Sequence, residues 1–168
     1  RCRNARWLGR VLAAHLGCSS RHRAQVAAGA AKAGRSASDI DLIIPVMTIV
    51  GDTDEERHAE REHARAMLSF YGSTPNYTFI WDEAGFEGTT ARIREKQKAG
   101  DFAGMAAQIT DEHLQVFTAE ASWDGLADEL IARYGDTASR LVLYNAGRNL
   151  DRFGRYGQVA QQIIQRTS

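Results

Sequence analysis

The sequence predicts a helix-rich α/β fold, and two observations in its first half indicate this class. Residues 40–50 are almost continuously apolar and rich in β-branched side chains, a pattern typical of a strand buried on both faces of a parallel sheet. A sharp stop, a capping signal and a long helical pattern then follow at residues 51–72. The two together predict one strand–helix unit of an α/β protein.

Length and composition are those of about one domain. The chain has 168 residues, of which 43% are apolar, enough for a hydrophobic core. The sequence has no apolar run of the roughly 18 residues that a membrane helix needs and no secretory pattern. We therefore expect a cytoplasmic protein without a membrane partner.

Charge is unevenly distributed along the chain. Residues 1–38 contain eight basic side chains and no acid, while the remainder contains 13 basic and 21 acidic residues, a net charge of −8. The basic segment 1–25 is atypical and has three interpretations: an organelle transit peptide, a nucleic-acid-binding arm, or a truncated start that is not in the native reading frame. Cys2 and Cys18 also lie in the first 18 residues, and we interpret them as free thiols.

The first elements follow from local signals. Residues 24–34 predict the end of an Ala-rich helix with a Gly stop. Pro45 lacks an amide donor and predicts an irregularity or an edge within the strand at 40–50. Thr53 and Glu56 form a capping-box pattern for a helix from about 54 to 71.

Residues 73–90 predict a long loop with several aromatic side chains. Loops of this length are often functional, so Tyr77 and Trp81 are candidate substrate-pocket residues. The alternative is that these aromatic side chains only attach the loop to the core.

The second half predicts further helices and one strand. Helices are expected at 92–98, after Asp101 through 108, after Thr110 through 117, and after Ser122, where apolar residues recur at 123, 126, 127, 130, 131 and 134 with a helical period. Residues 141–144 predict a short strand, and 149–166 a weaker helix.

Residue chemistry alone identifies no reaction. His58 and His63 are five residues apart, so they do not share a helix face as a zinc pair would, and we expect no metal site. His113 is either a structural residue or an acid/base. The segment 51–53 follows a buried strand, where α/β enzymes place their sites, but it equally fits an ordinary helix cap. The acidic residues between 52 and 62 predict a solvated helix face.

Several short sequence segments resemble those of one enzyme family. The runs IPV at 44–46 and VGDTDEER at 50–57 are similar to a late strand and helix start of the luciferase-like monooxygenase superfamily. The run FYGSTPNY at 70–77 resembles its deazaflavin (coenzyme F-420) dependent oxidoreductase subgroup. Residues 105–117 and 126–144 continue the likeness, which covers about residues 26–146, the C-terminal portion only of a family member.

This resemblance implies a (β/α)8 TIM barrel with a flavin or deazaflavin at the carboxyl ends of its strands. The reaction would be hydride transfer or monooxygenation of an unknown small organic substrate. Because a complete barrel needs about 250 residues, we interpret residues 26–147 as the C-terminal part of an incomplete barrel and 148–168 as a C-terminal helix or tail.

The missing early strands would supply most of the cofactor site, so we expect the chain alone to be inactive and to bind neither FMN nor deazaflavin tightly. His15 and Ser19 are the residues that align with the family's cofactor-binding stretch, and the catalytic residues stay unassigned. We expect a homo-oligomer or a complementary barrel half as partner. The alternative is a small α/β binding module whose basic arm holds nucleic acid.

Overall fold

The computed structural model describes residues 19–144, 146–148 and 150–167. The two cysteines, His15 and most of the basic segment therefore lie outside the described residues. The main elements, in chain order, are α1 (Ser19–Lys32), β1 (Ile43–Val46), β2 (Thr48–Val50), α2 (Asp54–Gly72), α3 (Thr78–Glu83), α4 (Thr89–Lys98), α5 (Phe102–Ala107), α6 (Asp111–Phe117), β3 (Ala119–Ala121), α7 (Leu126–Tyr134), β4 (Arg140–Leu143) and α8 (Phe153–Thr167). Short 3-10 turns lie at Ala37–Asp39, Pro75–Tyr77, Ala146–Arg148 and Leu150–Arg152.

The strand predicted at 40–50 is one extended segment that pairs with two different strands. Its first half, β1, runs parallel to β4, and its second half, β2, runs parallel to β3. The two apolar segments predicted at 40–50 and 141–144 are therefore parallel neighbours over β1 and β4.

The two partner strands lie on opposite edges of this central segment. The carbonyl of Val46 accepts a hydrogen bond from the amide of Tyr144 (2.9 Å), and the carbonyl of Met47 accepts one from the amide of Ala119 (2.9 Å). Successive peptide groups of a strand point to alternate edges. Pro45 therefore faces away from β4, and its missing amide breaks no bond of the β1–β4 pair.

The side chains of the central segment alternate between two buried layers. Ile44, Val46 and Val50 pack in one apolar cluster with α7 and α8. Met47 and Ile49 pack in a second cluster with α2–α6. The segment is buried on both faces, as its composition predicts.

Strand order explains why helices cover both faces. The chain moves from the central segment to β3 through α2–α6, and then crosses back to β4 on the other edge through α7. A right-handed crossover that reverses its direction places its helix on the opposite face of the sheet. The described residues therefore form three layers, helix on sheet on helix.

An incomplete barrel would leave the apolar inner face of its strands uncovered, and the described residues differ from this expectation at the central segment. In the part of the chain that the structure describes, helices cover both faces of the central segment. Exposed apolar surface occurs at the outer strand, where Val142 and Tyr144 are 48% and 44% exposed. Both side chains lie on the face that α2–α6 cover elsewhere.

Helix α2 begins and ends as predicted. The Thr53 hydroxyl accepts a hydrogen bond from the Glu56 amide (3.2 Å), and the Glu56 carboxylate returns to the loop, forming the capping box. At the other end, a Cβ on Gly72 would lie 2.7 Å from Ile93 Cδ1 and 2.8 Å from Trp81 Cζ2. A glycine is needed there because α2 approaches α3 and α4 closely.

Residues 73–90 are not the irregular loop that the sequence predicts. They contain the turn Pro75–Tyr77, helix α3 and the start of α4. Tyr77 is the N-cap of α3 and makes no side-chain capping bond, so there is no capping signal to detect. Burial of Ile80 and Trp81 positions this helix through tertiary contacts instead.

Strand β3 and the start of α7 also differ from prediction. Ala and Glu are depleted in strands, so the Ala-Glu-Ala sequence of β3 carries no local signal and takes its conformation by pairing with β2. Ser122 does accept a hydrogen bond from the Gly125 amide (3.2 Å), but the helix begins only at Leu126. Among the described residues, no helix is long and apolar enough to span a bilayer.

Candidate functional site

The topology brings two loops, residues 51–53 and 121–123, together at the carboxyl ends of β2 and β3, and we call their junction the β2–β3 crevice. The loop after β2 leads to α2 on one face of the sheet, and the loop after β3 leads to α7 on the other. In open α/β sheets, ligands bind where neighbouring strands send their connections to opposite faces. Residues 51–53 and 121–123 form the two sides of this crevice.

Asp52 connects the two sides. Its carboxylate accepts hydrogen bonds from the Trp123 amide (3.3 Å) and from Arg155 (2.8 Å). The hydrogen bond from Arg155 is the main reason that the pKa of Asp52 lies below its ordinary value, followed by partial burial, which acts in the opposite direction. Asp52 is therefore a fixed anion at neutral pH.

The N-terminus of α2 is occupied by the protein's own carboxylates. Glu56 accepts a hydrogen bond from the Asp52 amide (2.7 Å), and Arg57 donates to the Gly51 carbonyl (2.7 Å). Carboxylates at a helix N-terminus are favourable for the helix dipole. The segment 51–53 is thus a complete helix cap, as well as the wall of a crevice.

A ladder of ion pairs joins α2 to the C-terminal segment. Glu60 accepts hydrogen bonds from Arg148 (2.8 Å to each oxygen) and Arg152 (3.2 Å), while Glu56 lies 3.5 Å from Arg152. Glu60 is only 9% exposed. The prediction of a solvated acidic face is therefore wrong for this residue, since the arginines of a distant segment cover it.

Trp123 is buried beside the crevice. The Arg155 guanidinium lies 4.6 Å from the centre of its ring, within cation–π range, and the Tyr156 ring packs edge-on at 4.8 Å. The Tyr156 hydroxyl in turn lies 3.2 Å from the Thr48 hydroxyl. The indole nitrogen of Trp123 is buried and has no hydrogen-bond partner among the described residues.

The two predicted substrate-pocket residues lie together elsewhere. Tyr77 and Trp81 line a small apolar cavity between the end of α2 and helix α3, together with Leu68, Tyr71, Gly72, Ile80 and Phe117. Its volume of about 10 Å³ is room for about one water molecule. Trp81 also packs edge-on against Phe117 at 4.7 Å, so it attaches α3 to the core as well.

His113 is a buried structural histidine. Its Nδ1 accepts a hydrogen bond from the Thr110 amide (3.0 Å), which caps α6, and its ring stacks on Phe86 at 4.1 Å. Burial is the main cause that lowers its pKa, with Arg92 adding to the effect. The ring is neutral and its Nδ1 is engaged in the cap.

The assignment of His15 and Ser19 to a cofactor site stays a prediction. His15 lies outside the described residues, and Ser19 is the first residue of α1. Within the described ranges, no group of three or more His, Cys, Asp or Glu side chains is arranged to hold a metal ion.

Sequence reasoning missed Arg148, Arg152, Arg155 and Trp123 as crevice residues. A signal for the arginines does exist, because their spacing of four and three residues places them on one side of a helical segment. The acids at 52, 56 and 60 have the matching spacing of four. Comparing the two spacings would have suggested the ladder.

Comparisons with known proteins agree with the resemblance. Residues 7–140 match the profile of a family described as luciferase-like monooxygenase. The chain is also similar to uncharacterized proteins of Mycobacterium bovis and of two Mycobacterium tuberculosis strains, each 29% identical over 142 residues. The alignment covers 80% of this chain but 42% of each relative, so the chain spans about two fifths of their length. No solved structure matches the chain significantly. Since the family match covers most of the chain, the protein belongs to the luciferase-like monooxygenase family.

Proposed function

We propose that this chain is the C-terminal part of an FMN- or deazaflavin-dependent oxidoreductase. The family match over residues 7–140 carries the proposal. Membership implies the TIM-barrel fold, and a helix-rich α/β structure with few parallel strands is consistent with part of such a barrel. The FYGSTPNY run favours the deazaflavin subgroup, and the reaction class is hydride transfer or monooxygenation of a small organic substrate in the cytoplasm.

Two observations support a ring site that needs more strands than the described residues contain. The cavity beside Tyr77 and Trp81 has room for about one water, far less than the three fused rings of a flavin. In the crevice, Asp52 and Glu56 already occupy the backbone amides of Trp123 and Asp52. No catalytic step is therefore assigned to this chain's residues, and we propose that Tyr77 and Trp81 form part of a substrate pocket only when the remaining strands are present.

Cofactor titration tests the part of the proposal that concerns this chain. We expect that FMN and the deazaflavin, each titrated into the purified chain and followed by their fluorescence, show no saturable binding. Micromolar binding of either cofactor would contradict the inference that the early strands are required.

The activity itself needs a different experiment. The genomic DNA upstream of the coding segment should contain an open reading frame that encodes the earlier barrel strands. Its translated sequence should align with the family on both sides of His15 and Ser19. The protein encoded by this upstream frame joined to the present coding segment, the joined product, should bind FMN or deazaflavin. A joined product that folds cooperatively but binds neither cofactor would refute the oxidoreductase assignment.

We also propose that the chain associates through the outer strand of its sheet, either with a second copy or with a complementary barrel half. Val142 on β4, Tyr144 directly after this strand and the nearby Phe70 are large, apolar and exposed. Phe70 packs against Tyr71, whose hydroxyl bonds that of Tyr144. Val142→Lys should shift the sedimentation of an associated form toward that of the monomer. A purified chain that sediments as a monomer at every concentration would contradict this.

A further inference from the structure

The C-terminal segment covers the crevice between β2 and β3. Arg155 reaches Asp52 on one side and stacks over Trp123 on the other. Tyr156 packs on Trp123 and bonds Thr48 of the central segment. The start of α8 therefore lies across both loops at the place where the fold favours ligand binding.

This segment is attached mainly by charge in its first half. Three of its arginines pair with carboxylates at 52, 56 and 60. Its large apolar side chains before Tyr156 are not buried: Leu150 is 79% exposed and Phe153 is 59% exposed. Ala146 is partly buried against the core, and further apolar burial begins at Tyr156 and Val159, so the described residues from 147 to 155 depend largely on the ion pairs for their position.

Such an attachment can open without unfolding the core. The side chains of Arg148 and Arg155 are each 43% exposed, so both remain close to water when they leave their acids. Partly exposed pairs contribute little each and are screened by salt. By contrast, α7 is held by fully buried residues such as Leu126 and Leu130, and its exposed ion pair with Arg166 contributes little to its position.

We propose that the described residues between 147 and 155 form a lid over the β2–β3 crevice, closed by the arginine–carboxylate ladder and opened when those ion pairs are broken. The proposal goes beyond the proposed function, which assigns no ligand to this crevice. Glu60 is the latch, since it is the buried acid that two arginines share. Opening the lid uncovers the face of Trp123 that Arg155 covers and frees Asp52 and the guanidinium groups to contact a charged ligand.

Hydrogen exchange of the chain, with no cofactor added, tests the lid directly. Amide exchange of peptides covering 150–159 is compared with that of peptides from α7 at about 0.1 M and about 1 M salt, where the Debye length falls from about 10 Å to about 3 Å. We expect faster exchange in 150–159 at high salt and no change in α7, since local opening is independent of global unfolding.

Two variants distinguish the role of Glu60 in closing the lid from a general effect of removing a charge. Glu60→Gln keeps the shape of the side chain and removes its charge. It should raise exchange of 150–159 at low salt by about tenfold or more, since removing one partner of a buried pair is costly. Arg166→Gln is the matched control, because Arg166 lies on the same helix but pairs with the exposed Asp128; it should leave 150–159 unchanged.

Two results would overturn the lid. One is equal exchange of 150–159 at both salt concentrations in the native sequence. The other is a rise in Glu60→Gln that is the same in α7 as in 150–159, which would indicate global unfolding. Neither result bears on cofactor binding by the joined product, so failure of the lid and failure of the oxidoreductase assignment are distinguishable.

Discussion

The hydrogen bond between Thr48 and Tyr156 should show measurable coupling in a double-mutant cycle. Thr48 is 1% exposed in the centre of the sheet, Tyr156 is 7% exposed on α8, and their hydroxyl oxygens are 3.2 Å apart. Burial is the main cause that raises the pKa of Tyr156 above its ordinary value, so the phenol is protonated throughout the neutral range. The cycle consists of Tyr156→Phe, Thr48→Val and the double variant, each of which nearly conserves shape.

The magnitude follows from burial and distance. A hydrogen bond contributes about 0.5–1.5 kcal/mol net, and a buried group left without its partner costs about 1–3 kcal/mol. Because 3.2 Å is longer than the usual 2.7–2.8 Å for two hydroxyls, we take the lower part of both ranges. Each single variant should lose about 1 kcal/mol, and the double variant about the same, which gives a coupling energy of about 1 kcal/mol.

Urea unfolding followed by circular dichroism measures the four free energies, with the slope of the transition compared among variants to verify two-state behaviour. Coupling arises because the double variant buries no unpaired hydroxyl. Additive losses in the double variant would refute the reasoning, since they would mean that the two hydroxyls do not satisfy each other.

Three further outcomes test packing and protonation. Gly72→Ala should lower the free energy of unfolding by about 1–3 kcal/mol through overpacking against Trp81, while the matched control Gly157→Ala, with nothing within 4 Å of the new Cβ, should be neutral or stabilising by up to about 1 kcal/mol; equal effects in urea unfolding would contradict the close approach. Leu130→Ala, which empties a fully buried position, should cost about 2–5 kcal/mol, and a loss below 1 kcal/mol would mean that the site is not in the core. Because burial lowers the pKa of His113, the unfolded chain binds more protons than the folded chain below about pH 6.5. The free energy of unfolding should therefore fall as the pH drops below that value, and His113→Gln should reduce this slope; an unchanged slope would show that the ring titrates normally.

Local chemistry makes part of this fold predictable. The β-branched run at 40–50 predicts a strand buried on both faces, and Thr53 with Glu56 predicts the start of α2, because each signal lies within a few residues of the structure that it specifies. The same holds for Asp101, whose carboxylate accepts a hydrogen bond from the Gly104 amide (2.7 Å). These elements can be predicted without knowing which distant residues they contact.

Features that depend on distant partners could not be predicted. Strand β3 takes its conformation from a partner about 71 residues away in the register Ile49↔Glu120. Helix α3 is defined by the burial of Trp81, not by a cap. The sequence correctly marks residues 51–53 as the end of a strand, but only the crossing topology brings Trp123 and Arg155 to the same crevice. Burial of Glu60 likewise depends on arginines 88 and 92 residues away.

The staggered pairing of the central segment has a consequence for synthesis. At about 5–20 residues per second, the ribosome completes the first bonding partner of this segment about 4–14 seconds after the segment itself has been made, and the second partner later still. During that interval a run of isoleucine and valine has no neighbour on either edge. The nascent chain therefore carries an aggregation-prone stretch whose protection depends on chaperones or on early collapse of the helices that follow it.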